Sequence, residues 1–412
     1  MKAYIVETAR RIDPFGEHPG DCLIANSRLS EIRAEVLQNL GMEVRRVPDA
    51  AQVVDADEHI IMGASLFFTR ELVKEFIDRS RKLKACTTCA IKPGLVTLHT
   101  LTATQDVKTT ADRVEYDLHY IAPGSMREER VPVVIEPEQF SQILPMPEHI
   151  RGPQEYRIPI TDTFVIQVDH WANLWAANIA TLLAGASRLM KSPKLSLLWL
   201  ALRARSANKW RILHQVNRIG KNCDIHPTAY IEGSTIGNNV MIGAGSVIRL
   251  SVIGDGTATG SNVTIESSVL GEECSIDSGC GAFCSVLYPR TVSSSRLIFT
   301  SLCGRDTFIA DGSGMADFRL DGKPVIVSKD GVSINTGVLA LGSCIGHGVY
   351  LGAASILAPG TVIPCGLRII PERDLIISKV NPDGTIPGHR LIPARRPPRG
   401  RGPSAQVSID QG

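Results

Sequence analysis

Ser234-Thr235-Ile236-Gly237, Ser251-Val252-Ile253-Gly254 and Ser268-Val269-Leu270-Gly271 are copies of one string, S-[TV]-[IL]-G, set seventeen residues apart. Ser285-Val286-Leu287-Tyr288 keeps the step with Tyr in place of Gly, and Ser301-Leu302-Cys303-Gly304 and Ser343-Cys344-Ile345-Gly346 restart the pattern further on. Between these marks aliphatic residues stand six apart, as in Ile225 and Ile231, then Ile236, Ile242 and Ile248. Short rungs with one small residue per corner predict a parallel β-helix of hexapeptide repeats, whose stacked coils bury a continuous aliphatic column.

Outward from the repeat, the chain divides into four parts. Residues 1–168 predict an α/β domain, 169–218 linker helices, 219–380 the all-β solenoid, and 381–412 a disordered tail rich in Pro, Gly and Arg. In the first part Lys2 to Glu7 reads as a strand. Leu29, Ile32, Val36 and Leu40 form one helical face ending at Gly41, a fitting C-terminal cap. Ile60-Ile61-Met62-Gly63 reads as a buried strand, and Thr69 as the N-cap of a helix with Leu72, Val73, Phe76 and Ile77 inward. This alternation predicts a mostly parallel sheet.

The 412 residues allow two or three domains and an ample core. With 44 basic against 42 acidic residues, nothing in the charge balance calls for nucleic acid. Met1 to Val6 runs straight into Glu7 without the pattern of a secretion signal, so the expectation is a cytoplasmic protein. The ten cysteines then read as reduced thiols. Cys86 and Cys89 make a lone CxxC with no second pair or nearby His to complete a zinc site, and read as small residues beside a buried strand. No metal site is expected. Trp171, Trp175, Trp199 and the run Leu195 to Leu202 raise the question of a membrane, but polar Asn173, Asn178 and Arg188 interrupt the first half. The reading is a helix packed between two domains, with peripheral membrane contact the lesser alternative.

The order of parts resembles the bifunctional sugar-1-phosphate nucleotidyltransferase/acetyltransferases, the family of N-acetylglucosamine-1-phosphate uridyltransferase. Val168 to Asn178 is similar to that family's V-E-x-x-W-D-L-L-x-A-N entry to the linker helix, Ala316 to Lys323 to its A-N-L-R-F-D-x-K excursion, and Ser333 to Pro364 to its closing coils. The resemblance implies a left-handed β-helix, a homotrimer, acetyl-CoA or another acyl-CoA as co-substrate, and a sugar or nucleotide sugar as ligand. It covers about residues 1–375.

The catalytic strings of that family are altered here. Its Gly-rich phosphate loop L-A-G-G-x-G-T-R-M is replaced after the first strand by Thr8-Ala9-Arg10-Arg11-Ile12-Asp13-Pro14-Phe15-Gly16, which holds one glycine where backbone amides would cradle phosphates. Ala64 and Ser65 stand where a metal-binding Asp is implied, and Asp169 alone keeps a carboxylate near the second metal position. The acetyl-transfer base lies in H-L-x-Y, which here is matched by Arg296-Leu297-Ile298-Phe299; an arginine stays protonated and takes no proton. Both inherited mechanisms therefore read as lost. His347, at a coil corner where a neighbouring subunit would approach, and Asp317, if its pKa is raised, are the candidate substitute bases. Arg296, Arg319, Lys323 and Lys329 are candidate ligands for a CoA phosphate or sugar pyrophosphate, against the plainer reading of a solvated charged loop. Within Phe318 to Val327, Asp321-Gly322 predicts a tight hairpin projecting from the solenoid. Three functions stay open: a non-catalytic family member binding a nucleotide sugar or acyl-CoA, an active acyltransferase, and a structural or membrane-surface scaffold.

Overall fold

The hydroxyls of the repeated serines explain the repeat. Each Ser Oγ accepts the backbone N–H of the serine one coil on: Ser251 to Ser234 (3.1 Å), Ser268 to Ser251 (3.1 Å), Ser285 to Ser268 (3.0 Å), Ser301 to Ser285 (3.2 Å) and Ser343 to Ser301 (2.9 Å). The same hydroxyls donate to the carbonyl two residues earlier, so a fully buried corner leaves neither group unpaired. The corner glycines are required by space rather than by dihedral angle. A Cβ on Gly254 would collide with the Gly271 carbonyl carbon, and one on Gly271 with the Pro289 nitrogen.

This computed structural model describes residues 1–124, 130–144, 155–193, 199, 201–206 and 208–372. The solenoid is a left-handed parallel β-helix with faces of eight, eight and seven described strands. Its interior is the column read from the sequence, with Ile231, Ile236, Ile242, Ile248, Ile253, Ile265 and Leu270 all buried. Cys274, Cys280 and Cys303 fill the same column as small apolar groups.

The main sheet of the N-terminal domain has six strands in the order β6-β4-β5-β3-β1-β2: β1 (Lys2–Val6), β2 (Glu43–Val47), β3 (His59–Gly63), β4 (Thr87–Ile91), β5 (Val114–Ile121) and β6 (Val131–Ile135), with a short seventh strand pairing with β5. The sheet is mostly parallel, as expected, and is made mixed by β5 alone, which runs antiparallel between β3 and β4. Helix α1 (Leu29–Asn39) buries Leu29, Arg33 and Leu37, a face one position round from the expected stripe, in which Ile32, Val36 and Leu40 are only half-buried. Arg33 is responsible, since its guanidinium turns that face toward the carbonyls at the end of β3. Helix α2 (Arg70–Leu83) follows the expectation, with the Thr69 hydroxyl accepting Leu72 N–H at 3.4 Å and Leu72, Val73, Phe76 and Ile77 buried. Cys86 and Cys89 are buried free thiols in and beside β4.

Helix α4 (Trp171–Met190) packs between the domain and the solenoid, with Trp171 and Trp175 buried and the Trp175 indole donating to Cys284 O at 2.7 Å. It follows the short α3 (Leu95–His99) in the chain. Among the described residues no helix is long and apolar enough to cross a membrane. Most of Leu195 to Leu202 and the whole Arg-rich tail 381–412 lie outside the described residues.

The expected hairpin forms, but at the second Asp-Gly of the excursion. Ile326–Lys329 and Val332–Asn335 pair across Asp330-Gly331, whose positive φ angles of 51° and 79° suit a two-residue hairpin turn. Alternation decides between the two sites, since Val325, Val327 and Lys329 are buried while Ile326 and Ser328 point outward. Asp321-Gly322 instead closes an isolated turn, with Gly322 N–H donating to Arg319 O and Arg319 pairing with Asp321 at 2.6 Å. Ser333 to Asn335 thus belongs to this hairpin, and the coils resume at Cys344–Ile345.

Candidate functional site: a charge-filled cleft

In an open α/β sheet, ligands bind outside the carboxyl ends of the strands where the strand order reverses. Here that place lies beyond β1 and β3. Two arginines occupy it. Arg33, buried in α1, donates from Nη1 to the carbonyls of Ala64 (2.6 Å) and Gly63 (3.4 Å), at the end of β3. Burial pulls its pKa down to about 10, so it stays charged at neutral pH.

Arg10, from the loop after β1, reaches Asp106 at 2.5 Å, Asp169 at 3.4 Å and, through Nη2, Asp330 at 3.7 Å. Lys329 adds a second cation, 2.6 Å from Asp106 and 2.9 Å from Thr104 O. Asp169 is held by Asp106 N–H (2.8 Å) and Gln167 Nε2 (2.9 Å), and its burial raises its pKa. The little space that remains is lined by Arg11, Asp13 and His170 besides Arg10, Asp169, Lys329 and Asp330. His170 fixes the arrangement. Its Nδ1 accepts Ala172 N–H as the N-cap of α4, and its Nε2 donates to Ser328 O at 3.1 Å, tying the solenoid's hairpin to the start of the linker helix. Burial lowers its pKa to about 4, which matches the neutral tautomer these two bonds require.

Two side chains of the hairpin thus complete a cluster built by the N-terminal domain. A divalent metal would have to sit among Asp106, Asp169 and Asp330, but the Arg10 guanidinium already lies there. Among the described residues no group of three or more His, Cys, Asp or Glu is arranged to hold a metal ion. The donor set does not fit a metal.

His347 sits at a solenoid corner as expected, and the N-terminal domain packs over that corner. Phe15 packs against His347 (ring centroids 4.8 Å) and Tyr288 (5.8 Å), Cys365 Sγ donates to Pro14 O at 3.0 Å, and Glu17 pairs with Arg305. His347 Nδ1 accepts Arg305 N–H at 2.9 Å, and Nε2 lies 3.2 Å from Glu17 Oε1. Both ring nitrogens are engaged, and desolvation lowers the pKa to about 4. That leaves no free lone pair for a general base. Asp317 lies in a separate pocket with Phe299, Met315, Phe318 and Ile356, where burial raises its pKa.

The four candidate anion ligands do not converge. Lys329 is sequestered in the cleft, Arg319 pairs with Asp321, Lys323 is exposed, and Arg296 is exposed on the solenoid near Cys280. Sequence reasoning passed over Arg10, Asp106 and Asp330. Arg10 stood in the altered loop and Asp330 in the second Asp-Gly, but nothing local joins them to Asp106.

Residues 208–299 match the family model described as the GMPPB C-terminal domain. No curated protein matches the chain. The match is to a segment of less than a quarter of the chain. It covers the end of the linker and the first coils, and stops before the hairpin excursion.

Proposed function

We propose that this chain is a transferase-family protein of nucleotide-sugar metabolism that does not itself transfer nucleotidyl groups, and that serves as a binding or scaffolding subunit. The observation that carries this reading is the cleft beyond β1 and β3. Its carboxylates are ion-paired with Arg10 and Lys329 of the same chain, so neither a metal nor a triphosphate enters without breaking that cluster. Incubation of the full chain with Mg²⁺, nucleoside triphosphates and sugar 1-phosphates, read by pyrophosphate release, is expected to give nothing above the blank. Release that disappears in Asp169→Asn would overturn the reading. Binding of a nucleotide sugar, and assembly as a homotrimer through the solenoid, belong to the same proposal and are checked by calorimetry and by sedimentation.

A second reading, an acyl-CoA-dependent transferase, is favoured by one observation, the carboxyl of Asp317 in a mostly apolar pocket with a raised pKa. In it Asp317 rather than His347 takes the acceptor proton. Release of free CoA from acetyl-CoA in the presence of sugar acceptors, lost in Asp317→Asn, would establish it.

A further inference from the structure

The first coil of the solenoid has no coil before it, so its open end needs a cap with a polar outer face. The linker supplies that cap. Helix α5 (Lys209–His214) packs on the first coil, where Gly233 N–H donates to Leu213 O at 3.2 Å and His214 Nδ1 donates to Ile231 O at 2.9 Å. Ala204 and Asn208 share an open groove with Arg211, His214 and Tyr230, which places the helical stretch before α5 at the same end of the molecule. Ile212, Leu213 and Val216 are half-buried, while Arg211 and His214 are exposed.

The outer surface of this cap carries charge of one sign. Between Asp169 and Asp224 the chain holds no acidic residue, whereas from Arg188 to Lys221 it holds nine Lys and Arg, and the rest of the chain has more acidic than basic residues. Arg188 and Lys191 pair with Glu71 (3.9 Å) and Asp162 (2.6 Å) of the N-terminal domain. Arg203, Arg205, Arg211, Arg218 and Lys221 are exposed and pair with no carboxylate among the described residues. Glu232 of the first coil is buried, bonded by the Tyr230 hydroxyl at 2.8 Å and paired with Arg249 at 3.5 Å. Beside the free cations two large apolar side chains face water, Trp199 at 59% and Leu202 at 66% exposure. Three apart in a helical stretch, they share one face, and the Arg203 guanidinium lies 5.6 Å from the Trp199 ring centroid. A nucleic acid or an acidic protein would satisfy the arginines but leave Trp and Leu in water. An anionic lipid surface takes both, the ring at head-group level and the arginines on lipid phosphates and carboxylates. We propose that the capped end of the solenoid docks peripherally on an anionic membrane surface, with Trp199 and Leu202 entering the interface and Arg203, Arg205 and Arg211 binding head groups. This surface uses no side chain of the charge-filled cleft and stands whether or not the cleft is silent.

Co-sedimentation of the full chain with vesicles of phosphatidylcholine alone, and of phosphatidylcholine mixed with phosphatidylserine, tests this. Binding is expected to the mixed vesicles only, and to weaken about tenfold or more as salt rises from about 0.1 M to about 1 M. Replacing Arg203, Arg205 and Arg211 together by Gln should weaken it about a hundredfold, at roughly fivefold per charge. Trp199→Ser combined with Leu202→Ser should weaken it about tenfold and leave the salt dependence intact. Lipid brominated on its acyl chains should quench the tryptophan emission of the unmodified chain and quench Trp199→Phe much less. Equal binding to both vesicle types would overturn the proposal. So would binding that survives the triple arginine variant and is lost when Arg390, Arg395, Arg396, Arg399 and Arg401 are replaced by Gln, which would place the contact in the tail. Retention on RNA or DNA tighter than on the mixed vesicles, and indifferent to Trp199→Ser, would overturn it in favour of a nucleic-acid surface.

Discussion

The coils from Ser234 to Ser285 and the coils that follow them are built from the same string, yet they have different neighbours. The regular coils are bonded mainly to one another at a constant step of seventeen residues. Where the string changes, the N-terminal domain attaches. Tyr288, which replaces a corner Gly, exchanges two hydrogen bonds with the backbone of Leu23 (2.9 and 3.2 Å) and stacks on Phe15. The next interruption, a step of 42 instead of 17, is the excursion that carries the hairpin into the cleft. Departures from the repeat thus add docking points to those of the regular coils, where Asn26 Nδ2 donates to Leu270 O at 2.7 Å and Val269 packs in the same cluster as Phe15 and Trp171.

The largest break in this contrast should come from Tyr288→Ala. It removes a buried aromatic from the joint and is expected to cost about 3–5 kcal/mol, whereas Tyr288→Phe, which only unpairs Leu23, should cost about 1–3 kcal/mol. Chemical denaturation of both variants measures this, and equal small losses would mean that the joint contributes little. Acid should loosen the hairpin end next. The His170 pKa is lowered to about 4 against an ordinary value near 6.5, so the unfolded chain takes up a proton over that interval while the folded chain does not. Its neutral-pH contribution is full above about 6.5 and falls as pH drops towards 4, by up to about 3 kcal/mol. Melting curves from pH 7 to 4 should show a shallower decline in His170→Asn.

Within the regular coils, Ser268→Ala strands the Ser285 N–H and should cost about 1–3 kcal/mol, with no effect on the joint. The smallest change is expected from Lys329→Met. Its partner Asp106 is half-exposed and rehydrates, so the loss should be about 1 kcal/mol or less, and a larger loss would show that the cluster acts as one network.

The solenoid was legible because its period is short and its core positions recur, so Ile236, Ile242 and Ile248 identify each other. The Thr69 cap and the inward face of α2 were legible for the same local reason. The cleft was not, because its members lie at positions 10, 106, 169 and 329–330 and only the fold brings them together. The α1 face was misread through Arg33, a charged residue buried because the ends of β3 offer it carbonyls. The hairpin was placed at the wrong Asp-Gly because both strings carry turn chemistry, and only the alternation Val325, Val327, Lys329 separates them.

The serine ladder also makes the solenoid its own recorder in amide hydrogen exchange. The N–H groups of Ser251, Ser268, Ser285, Ser301 and Ser343 are each held by a hydroxyl one coil back, so each can exchange only when two successive corners part. A solenoid that frays from one end would leave a staircase of protection along these five sites, and one that opens as a unit would give five equal rates.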